Sequence, residues 1–334
     1  MNLTRRLMIA AATIALALPA LPAFAQDQII IKFSHVVAPD TPKGRGAQKF
    51  KELAEHYTNG RVTVELYPNS QLYKDKEELE ALQLGAVQML APSLAKIGPL
   101  GVSDFEVFDL PYIFADTAAL RRVTEGEVGR TLLDKLDAKG IKGLAYWDNG
   151  FKIMTASRPM ISVDDFLGLK MRIQSSKVLE AQFAALGAVP QVMAFSEVYQ
   201  AMQTGVVDGS ENTPSNIFTQ KVHEVQKHAT VSNHGYIGYA VIVNKAFWDG
   251  LPEDVRTERD RAMAESTTYA NSISEEDNAK ALQAIRDAGT TEVHDQTPEE
   301  RAAWVAALEP VWAEMEARIG KDTIDMVRAA ATRQ

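Results

Sequence analysis

The 334-residue sequence carries 44 acidic and 35 basic residues, for a formal net charge of −9 at pH 7, and it contains no cysteine. The acidic balance argues against a nucleic-acid partner, because binding to the phosphate backbone depends on Lys and Arg. The lack of cysteine excludes disulfides, thiolate chemistry, zinc sites with Cys ligands and the acylated cysteine of a lipoprotein.

The N-terminal segment has the pattern of an export signal. Arg5 and Arg6 precede an apolar run over residues 7–18, and the tripeptide Ala-Phe-Ala at 23–25 supplies the small residues of a cleavage site. The apolar run is shorter than the roughly 20 residues that span a bilayer. We therefore expect residues 1–25 to be a cleaved signal peptide and the rest to be a soluble, monomeric periplasmic protein.

Alternating strand and helix patterns open the mature part of the chain. In chain order they predict a strand at 29–33, a helix from Thr41-Pro42 to Asn59-Gly60, a strand at 61–66, a helix at 75–84 and a strand at 87–91. This β-α-β-α-β order indicates a parallel sheet with helices on both faces.

A second series of the same kind follows a middle segment. The middle segment contains a helix near 127–138 and two short strands, 144–147 and 151–156, which we interpret as crossing strands. The second series has strands at 169–173, 190–193 and 206–208, separated by helices at 176–186 and 196–203. A further strand at 236–243 could return the chain to the first domain.

The C-terminal third is predicted to be mainly helical. Residues 253–288 lack Gly and Pro and are numerous enough for a helix that braces both domains. Further helices are expected at 299–319, with a break or kink at Pro310, and at 323–331.

These patterns predict an α/β fold with β-sheets flanked by helices, two domains joined by crossing hinge strands, and a long helix bracing both domains. Domain I is expected to comprise residues 26–150 with 236–288, and domain II residues 151–235. Residues 289–334 are expected to form C-terminal helices that pack on the domains.

Motifs of common enzyme and cofactor sites are absent from the sequence, including G-x-S-x-G, H-E-x-x-H, G-x-G-x-x-G, the Walker A loop and the EF-hand loop. The nearest miss is His223-Glu224 with His228, whose histidines are five residues apart and would point to different faces of a helix. We therefore predict no catalytic residue, no cofactor and no metal.

Arg172 is the chief candidate for a binding residue. It lies in the strand-like run Leu-Lys-Met-Arg-Ile, and a buried guanidinium is costly unless an anion pairs with it. That anion could be an internal carboxylate or a ligand, and the residues alone leave both open.

Several long segments resemble the solute-binding family of TRAP transporters, and within it the dicarboxylate-binding DctP branch. They are GLKMRI at 168–173, LGA at 186–188, MAFSEVYQAMQTGVVDGSEN at 193–212, YPNSQLYKDKEEL at 67–79, FDLPYIF at 108–114 and KHATVSNHGYIGYAVIVNKAFWDGLP at 227–252. The resemblance implies a periplasmic binding-protein clamp that closes over a C4-dicarboxylate of the succinate, malate and fumarate class. It also implies delivery to membrane permease subunits driven by an ion gradient.

The resemblance assigns roles to individual residues. Arg172, the arginine of the family's MR motif, would grip a ligand carboxylate with two parallel hydrogen bonds, which a planar guanidinium can form and a lysine cannot. Asn212 would donate its amide to the same carboxylate, and Phe195 would pack beside the ligand.

Donors from the other domain are less sharply indicated. Ser93, His35 and the hydroxyl of Tyr236 are candidates. A dicarboxylate also needs a second cation, for which Lys43, Lys74, Lys96 and Lys152 lie in or near segments that resemble the family's cleft. We favour Lys74 and Lys152.

Three other interpretations stay open. The ligand could be another small organic acid, or the protein could sense a ligand for a membrane receptor through the same fold and pocket. A secreted enzyme acting on a carboxylate, with His234 or His35 as base, is the third.

Overall fold

The structure is a computed structural model, and it describes residues 28–333. The predicted signal peptide therefore lies outside the described residues. The strands are β1 Ile29–Ser34, β2 Val62–Tyr67, β3 Met89–Leu90, β4 Ile141–Phe151, β5 Ile153–Ala156, β6 Lys170–Ile173, β7 Val189–Val192, β8 Gly209–Asn212, β9 His228–Val231, β10 Tyr236–Asn244 and β11 Glu292–Asp295.

Helices surround the strands on both sides of the molecule. They are α1 Pro42–Tyr57, α2 Glu77–Gln83, α3 Thr117–Thr124, α4 Glu127–Asp134, α5 Lys177–Ala185, α6 Val198–Gln203, α7 Pro214–Thr219, α8 Val222–Val225, α9 Lys245–Asp249, α10 Glu253–Ala288, α11 Pro298–Ile319 and α12 Lys321–Thr332. In the part of the chain that the structure describes, no helix combines the length and apolarity needed to cross a bilayer.

The strands form two mixed sheets. The first has the order β2-β1-β3-β10-β4, in which β1, β2 and β3 are parallel and β10 runs antiparallel to both of its neighbours. The second has the order β11-β9-β5-β8-β6-β7, in which β6, β7 and β8 are parallel and β5 is antiparallel to β8 and β9. The predicted α/β class is confirmed, because each β-α series forms the parallel part of one sheet.

Two crossings connect the sheets at one place. The chain passes from β4 in the first sheet to β5 in the second through Lys152, and it returns through residues 232–235 to β10. The backbone N–H of Lys152 donates to the carbonyl of Gly235 over 2.9 Å, so the two crossings lie side by side. Strand β4 is longer than the strand predicted at 144–147, because it extends without a break from Ile141 to Phe151.

The long helix α10 has the bounds that its lack of Gly and Pro predicted, 36 residues ending before Gly289 in the left-handed conformation, with φ 65°. It packs against α1 and β4 beside the first sheet and against α7 beside the second, as a brace must. Of the break or kink predicted at Pro310, the break is wrong, because α11 continues through the proline, and the kink stays a prediction. Buried Trp304, Leu308 and Val311 hold the helix on either side of the proline.

Some elements have no counterpart in the sequence prediction. The strand expected at 206–208 begins later, as β8, whose residues Gly-Ser-Glu-Asn lack an apolar pattern although all four are buried. β11 lies in the segment that was expected to be only helical, and it pairs with β9 at the edge of the second sheet. The domain boundaries drawn from the sequence stay a prediction.

Candidate ligand-binding site

A small cavity lies between the parts of the chain that carry the two sheets, and we call it the Arg172 cavity. From the side of the first sheet it is lined by Val36, Val37, Asp75, Ser93, Lys96, Ile237 and Tyr239. From the side of the second sheet it is lined by Arg172, Gln174, Phe195, Asn212 and Asn216. Both sides therefore contribute polar groups to one cavity.

Arg172 lies in β6 with its side chain buried at 3 % exposure. Its Nε and Nη2 atoms donate to the carbonyl of Met193 at 3.0 and 2.8 Å. Among residues 28–333, no carboxylate lies within ion-pair distance of this guanidinium. Since a guanidinium has five N–H donors, the edge formed by Nη1 and Nη2 keeps donors for an anion in the cavity.

Burial lowers the pKa of Arg172 from its ordinary value, and the negative charges of Asp75 and Glu211 oppose that shift. An arginine nevertheless stays protonated at neutral pH. The cavity therefore contains a buried positive charge that the protein neutralises only at a distance.

Asn212 is positioned as a donor beside this charge. It ends β8, and its Oδ1 accepts from the backbone N–H of Thr213 and from Nδ2 of Asn216, both at 2.9 Å. Because the oxygen is occupied, the amide nitrogen of Asn212 is the group left to bind a ligand. Asn216 also approaches the hydroxyl of Tyr239, at 3.4 Å.

Phe195 connects the arginine to the other side of the cavity. Its ring centroid lies 5.8 Å from the Cζ atom of Arg172, and its backbone N–H donates to Oδ2 of Asp75 over 2.7 Å. Asp75 in turn pairs with the ammonium of Lys96. Burial alone raises the pKa of Asp75, but Lys96 and Arg172 outweigh it and hold the pKa at about 2, so this carboxylate is ionised.

Further buried charges lie behind Lys96. Oε1 of Glu78 is 3.6 Å from Nζ of Lys96, and burial raises the pKa of Glu78 to about 7. Lys43 donates to the carbonyl of Ala91 over 3.0 Å and lies 3.8 Å from the ring centroid of Tyr239. Burial, followed by the charge of Lys96, lowers the pKa of Lys43 to about 7.

Four of the predicted site residues do not line the Arg172 cavity, namely Lys74, Tyr236, His35 and Lys152. Lys74 is half-exposed, with Nζ 2.6 Å from Oε1 of Glu197, and it does not line the cavity. Tyr236 donates its hydroxyl to Oδ1 of Asp148 over 2.8 Å and lines a different cavity. His35 is buried beside a groove along α1.

Lys152 belongs to a buried cluster at the crossing of the strands. Its Nζ lies 2.5 Å from Oε1 of Glu211, whose Oε2 accepts from Nε2 of His234 at 2.8 Å and from the amide of Gln182 at 3.1 Å. We call these four residues the Lys152 cluster. A Cβ atom at Gly235 would lie 2.5 Å from Cε of Lys152, so a side chain at this position would require the lysine to shift.

The two histidines considered as bases do not reach the Arg172 cavity. Burial and the charge of Lys43 lower the pKa of His35 to about 3, which leaves it neutral. Burial also lowers the pKa of His234, although Glu211 opposes the shift. The two histidines of the near-miss metal motif lie in different elements, since His223 is in the four-residue helix α8 and His228 begins β9.

Sequence reasoning missed several residues that line the cavity, namely Asp75, Gln174, Asn216 and Tyr239. A signal existed for two of them. Gln174 follows Arg172 by two residues, the spacing that places side chains on one face of a strand. Asn216 lies in the first turn of the helix that Pro214 begins, four residues after Asn212.

A protein-family model described as bacterial extracellular solute-binding protein, family 7, or DctP, matches residues 33–318. The chain belongs to this family. It is 73 % identical to the C4-dicarboxylate-binding periplasmic protein DctP of Rhodobacter capsulatus, over 98 % of this chain and 99 % of that protein.

Solved structures agree with this family assignment. A TRAP periplasmic solute-binding protein of Shewanella oneidensis with bound succinate superposes with a TM-score of 0.89 and is 45 % identical, covering 91 % of this chain and 99 % of the other. One from Pseudomonas aeruginosa with bound L-malate gives a TM-score of 0.83 at 45 % identity, covering 86 % and 99 %. The predicted family and fold are thus confirmed.

Proposed function

We propose that this chain captures a C4-dicarboxylate in the Arg172 cavity as the periplasmic binding protein of a TRAP transporter. One observation carries the proposal, which is that a buried guanidinium faces a cavity with donors that no carboxylate of the protein occupies. A buried positive charge without an internal ion pair is costly, and a ligand carboxylate offsets that cost. The ligands of the related proteins supply the chemical class.

In this proposal the ligand lies between the two sides of the cavity. One carboxylate binds Arg172 and the amide of Asn212, and the other meets Lys96 and the hydroxyl of Ser93. Phe195 packs on the carbon chain between them. Lys96 thus replaces Lys74 and Lys152 as the second cation, because it lines the cavity and they do not.

The polarity of the site fits such a ligand. The cavity is small and carries cations and amide donors on its two sides, which favours an acid of few atoms over a sugar acid. Charged hydrogen bonds contribute roughly 1.5 to 3 kcal/mol each, so four or five of them supply the ~8 kcal/mol of micromolar binding.

Contacts from both sides also explain closure. A ligand shifts a protein toward a closed form only by binding that form more tightly than the open one. Arg172 and Asn212 come from the second-sheet side, and Lys96 and Ser93 come from the first-sheet side. The ligand can make all four contacts only when the two sides are together.

The remaining parts of the function follow from the family and the site. We infer export to the periplasm with removal of residues 1–25, action as a monomer, and delivery to TRAP permease subunits. We infer no enzymatic reaction, since neither His35 nor His234 reaches the cavity. Recovery of a bound acid chemically unchanged would support this.

Isothermal titration with succinate, malate, fumarate and a panel of monocarboxylates tests the proposal. We expect micromolar or tighter binding of the dicarboxylates, and loss of about a hundredfold or more in affinity for Arg172→Ala, because a buried charge partner is removed. Arg158→Ala is the matched control, since Arg158 is exposed on the same side of the molecule. Wild-type affinity in Arg172→Ala would contradict the assigned site.

A further inference from the structure

Asp75 forms a buried bond across the Arg172 cavity that involves no ligand. It lies between β2 and α2, beside the first sheet, and its Oδ2 accepts from the backbone N–H of Phe195, which follows β7 in the second sheet. The distance is 2.7 Å, and Asp75 is buried. Its other oxygen pairs with Lys96 on its own side.

This bond can exist only while the two sides are together. Opening the cavity separates Asp75 from Phe195, so the N–H and the carboxylate must then find water instead. The bond also fixes the backbone of the residue whose ring lies beside Arg172. Asp75 therefore joins closure to the arrangement of the binding residues.

We propose that Asp75 is a closure latch, a positioning residue that holds the two halves of the protein together by accepting the Phe195 N–H and thereby slows the release of the ligand. The proposal rests on the proposed function for its ligand, but the latch itself is a contact within the protein. Charged hydrogen bonds to a backbone N–H are stronger than neutral ones, which suits this role.

A different role would have the opposite effect. Among the carboxylates, Asp75 has the largest electrostatic effect on Arg172, and each of the two residues shifts the pKa of the other. If Asp75 acted mainly as an electrostatic competitor of the ligand, its removal would strengthen binding. The latch predicts weaker binding, so the two roles are separated by the sign of one measurement.

A second contact at the rim provides a control. Lys74, next to Asp75 in sequence, pairs with Glu197 two residues after Phe195 over 2.6 Å. Both side chains are about half-exposed, and exposed pairs contribute little and are screened by salt. Lys74→Ala removes a cross-cavity contact without touching the buried one.

The test compares Asp75→Ala, which removes the acceptor, with Asp75→Asn, which keeps an acceptor oxygen but no charge. Stopped-flow release of succinate is expected to be about tenfold or more faster in Asp75→Ala, the size expected when a charged hydrogen bond is lost. It should be accelerated less in Asp75→Asn, and by less than about fivefold in Lys74→Ala at low salt. Tighter binding or unchanged release in Asp75→Ala would overturn the latch.

A ligand-free measurement separates the latch from the proposed function. Because the sequence contains no cysteine, Glu80→Cys and Gln200→Cys place two spin labels specifically on exposed positions of α2 and α6. Asp75→Ala should shift the distance distribution toward longer, open distances, and Lys74→Ala should not do so at physiological salt. An unchanged distribution would overturn the latch, whereas failure of the wild type to bind any dicarboxylate would overturn only the proposed ligand.

Discussion

The Arg172 cavity and the Lys152 cluster each hold a buried cation, but the protein treats the two cations differently. Lys152 is fully buried, and Glu211 lies 2.5 Å from its Nζ. Arg172 is almost as deeply buried, yet the hydrogen bonds that it makes go to the carbonyl of Met193. Lys152 is neutralised by a carboxylate of the protein. Arg172 is held in place by a carbonyl and keeps N–H donors that can bind a ligand.

One strand serves both sites. Glu211 and Asn212 are consecutive residues of β8, and consecutive side chains of a strand point to opposite faces. Glu211 therefore reaches the Lys152 cluster while Asn212 reaches the Arg172 cavity. The comparison shows that burial of a charge alone does not mark a binding site. What singles out Arg172 is that it lines a cavity and has no carboxylate of the described residues within ion-pair distance, whereas Lys152 is paired with Glu211.

The largest expected effect of this difference is on stability. Lys152→Ala leaves Glu211 buried without its main counter-ion and should lower the free energy of unfolding by about 3 to 5 kcal/mol. Ligand-free Arg172→Ala should lose much less, because it removes no internal ion pair. Urea denaturation measures both, with exposed Lys170→Ala as control, and equal losses at Lys152 and Arg172 would remove the distinction.

Next in size is the effect of geometry at the arginine. Arg172→Lys keeps the charge but removes the planar fork that binds both oxygens of a carboxylate. We expect succinate affinity to fall by about tenfold to a hundredfold, between the wild type and Arg172→Ala, with the ligand-free melting temperature little changed. Titration calorimetry checks the affinity, and full affinity in Arg172→Lys would mean that charge alone binds the ligand.

The sequence was sufficient to predict the two β-α series, the long helix and the role of Arg172 as a candidate, because these depend on local periodicity or on a long family motif. It failed where tertiary pairing decides. Both Lys152 and Lys96 pair with internal carboxylates, and nothing local in the sequence shows that only Lys96 also lines the cavity. The strand β8 was misplaced because its buried residues are polar and are satisfied by partners distant in sequence.

The two regions should also respond to pH with opposite signs. Burial alone raises the pKa of Glu211, but Lys152 and His234 outweigh it and hold the pKa at about 2, so its contribution to stability is present above pH 4.5 and is lost as the pH falls toward 2. Burial raises the pKa of Glu78, behind Lys96, to about 7. Glu78 binds its proton more tightly in the folded state, so its contribution is present below pH 4.5 and is lost as the pH rises through 7.

Glu78→Gln should remove the second of these trends. Relative to the wild type, the variant should gain free energy of unfolding between pH 4.5 and 7, by at most about 1.4 kcal/mol per pH unit. Urea denaturation at several pH values in this window gives the difference. A constant difference between variant and wild type would show that Glu78 is not protonated in the folded protein.

The smallest expected effect concerns two tyrosines of β10, of which the sequence analysis named only Tyr236 as a candidate. Tyr239 lines the Arg172 cavity, whereas the hydroxyl of Tyr236 donates to Asp148 on the neighbouring strand β4. Tyr239→Phe should weaken succinate binding by about two- to tenfold, the effect of one neutral hydrogen bond. Tyr236→Phe should leave the affinity unchanged while lowering the melting temperature, because it strips a buried carboxylate of a donor. If calorimetry instead found the affinity loss in Tyr236→Phe, the face of β10 that we assign to the ligand would be wrong, and the Arg172 cavity would not be where the ligand binds.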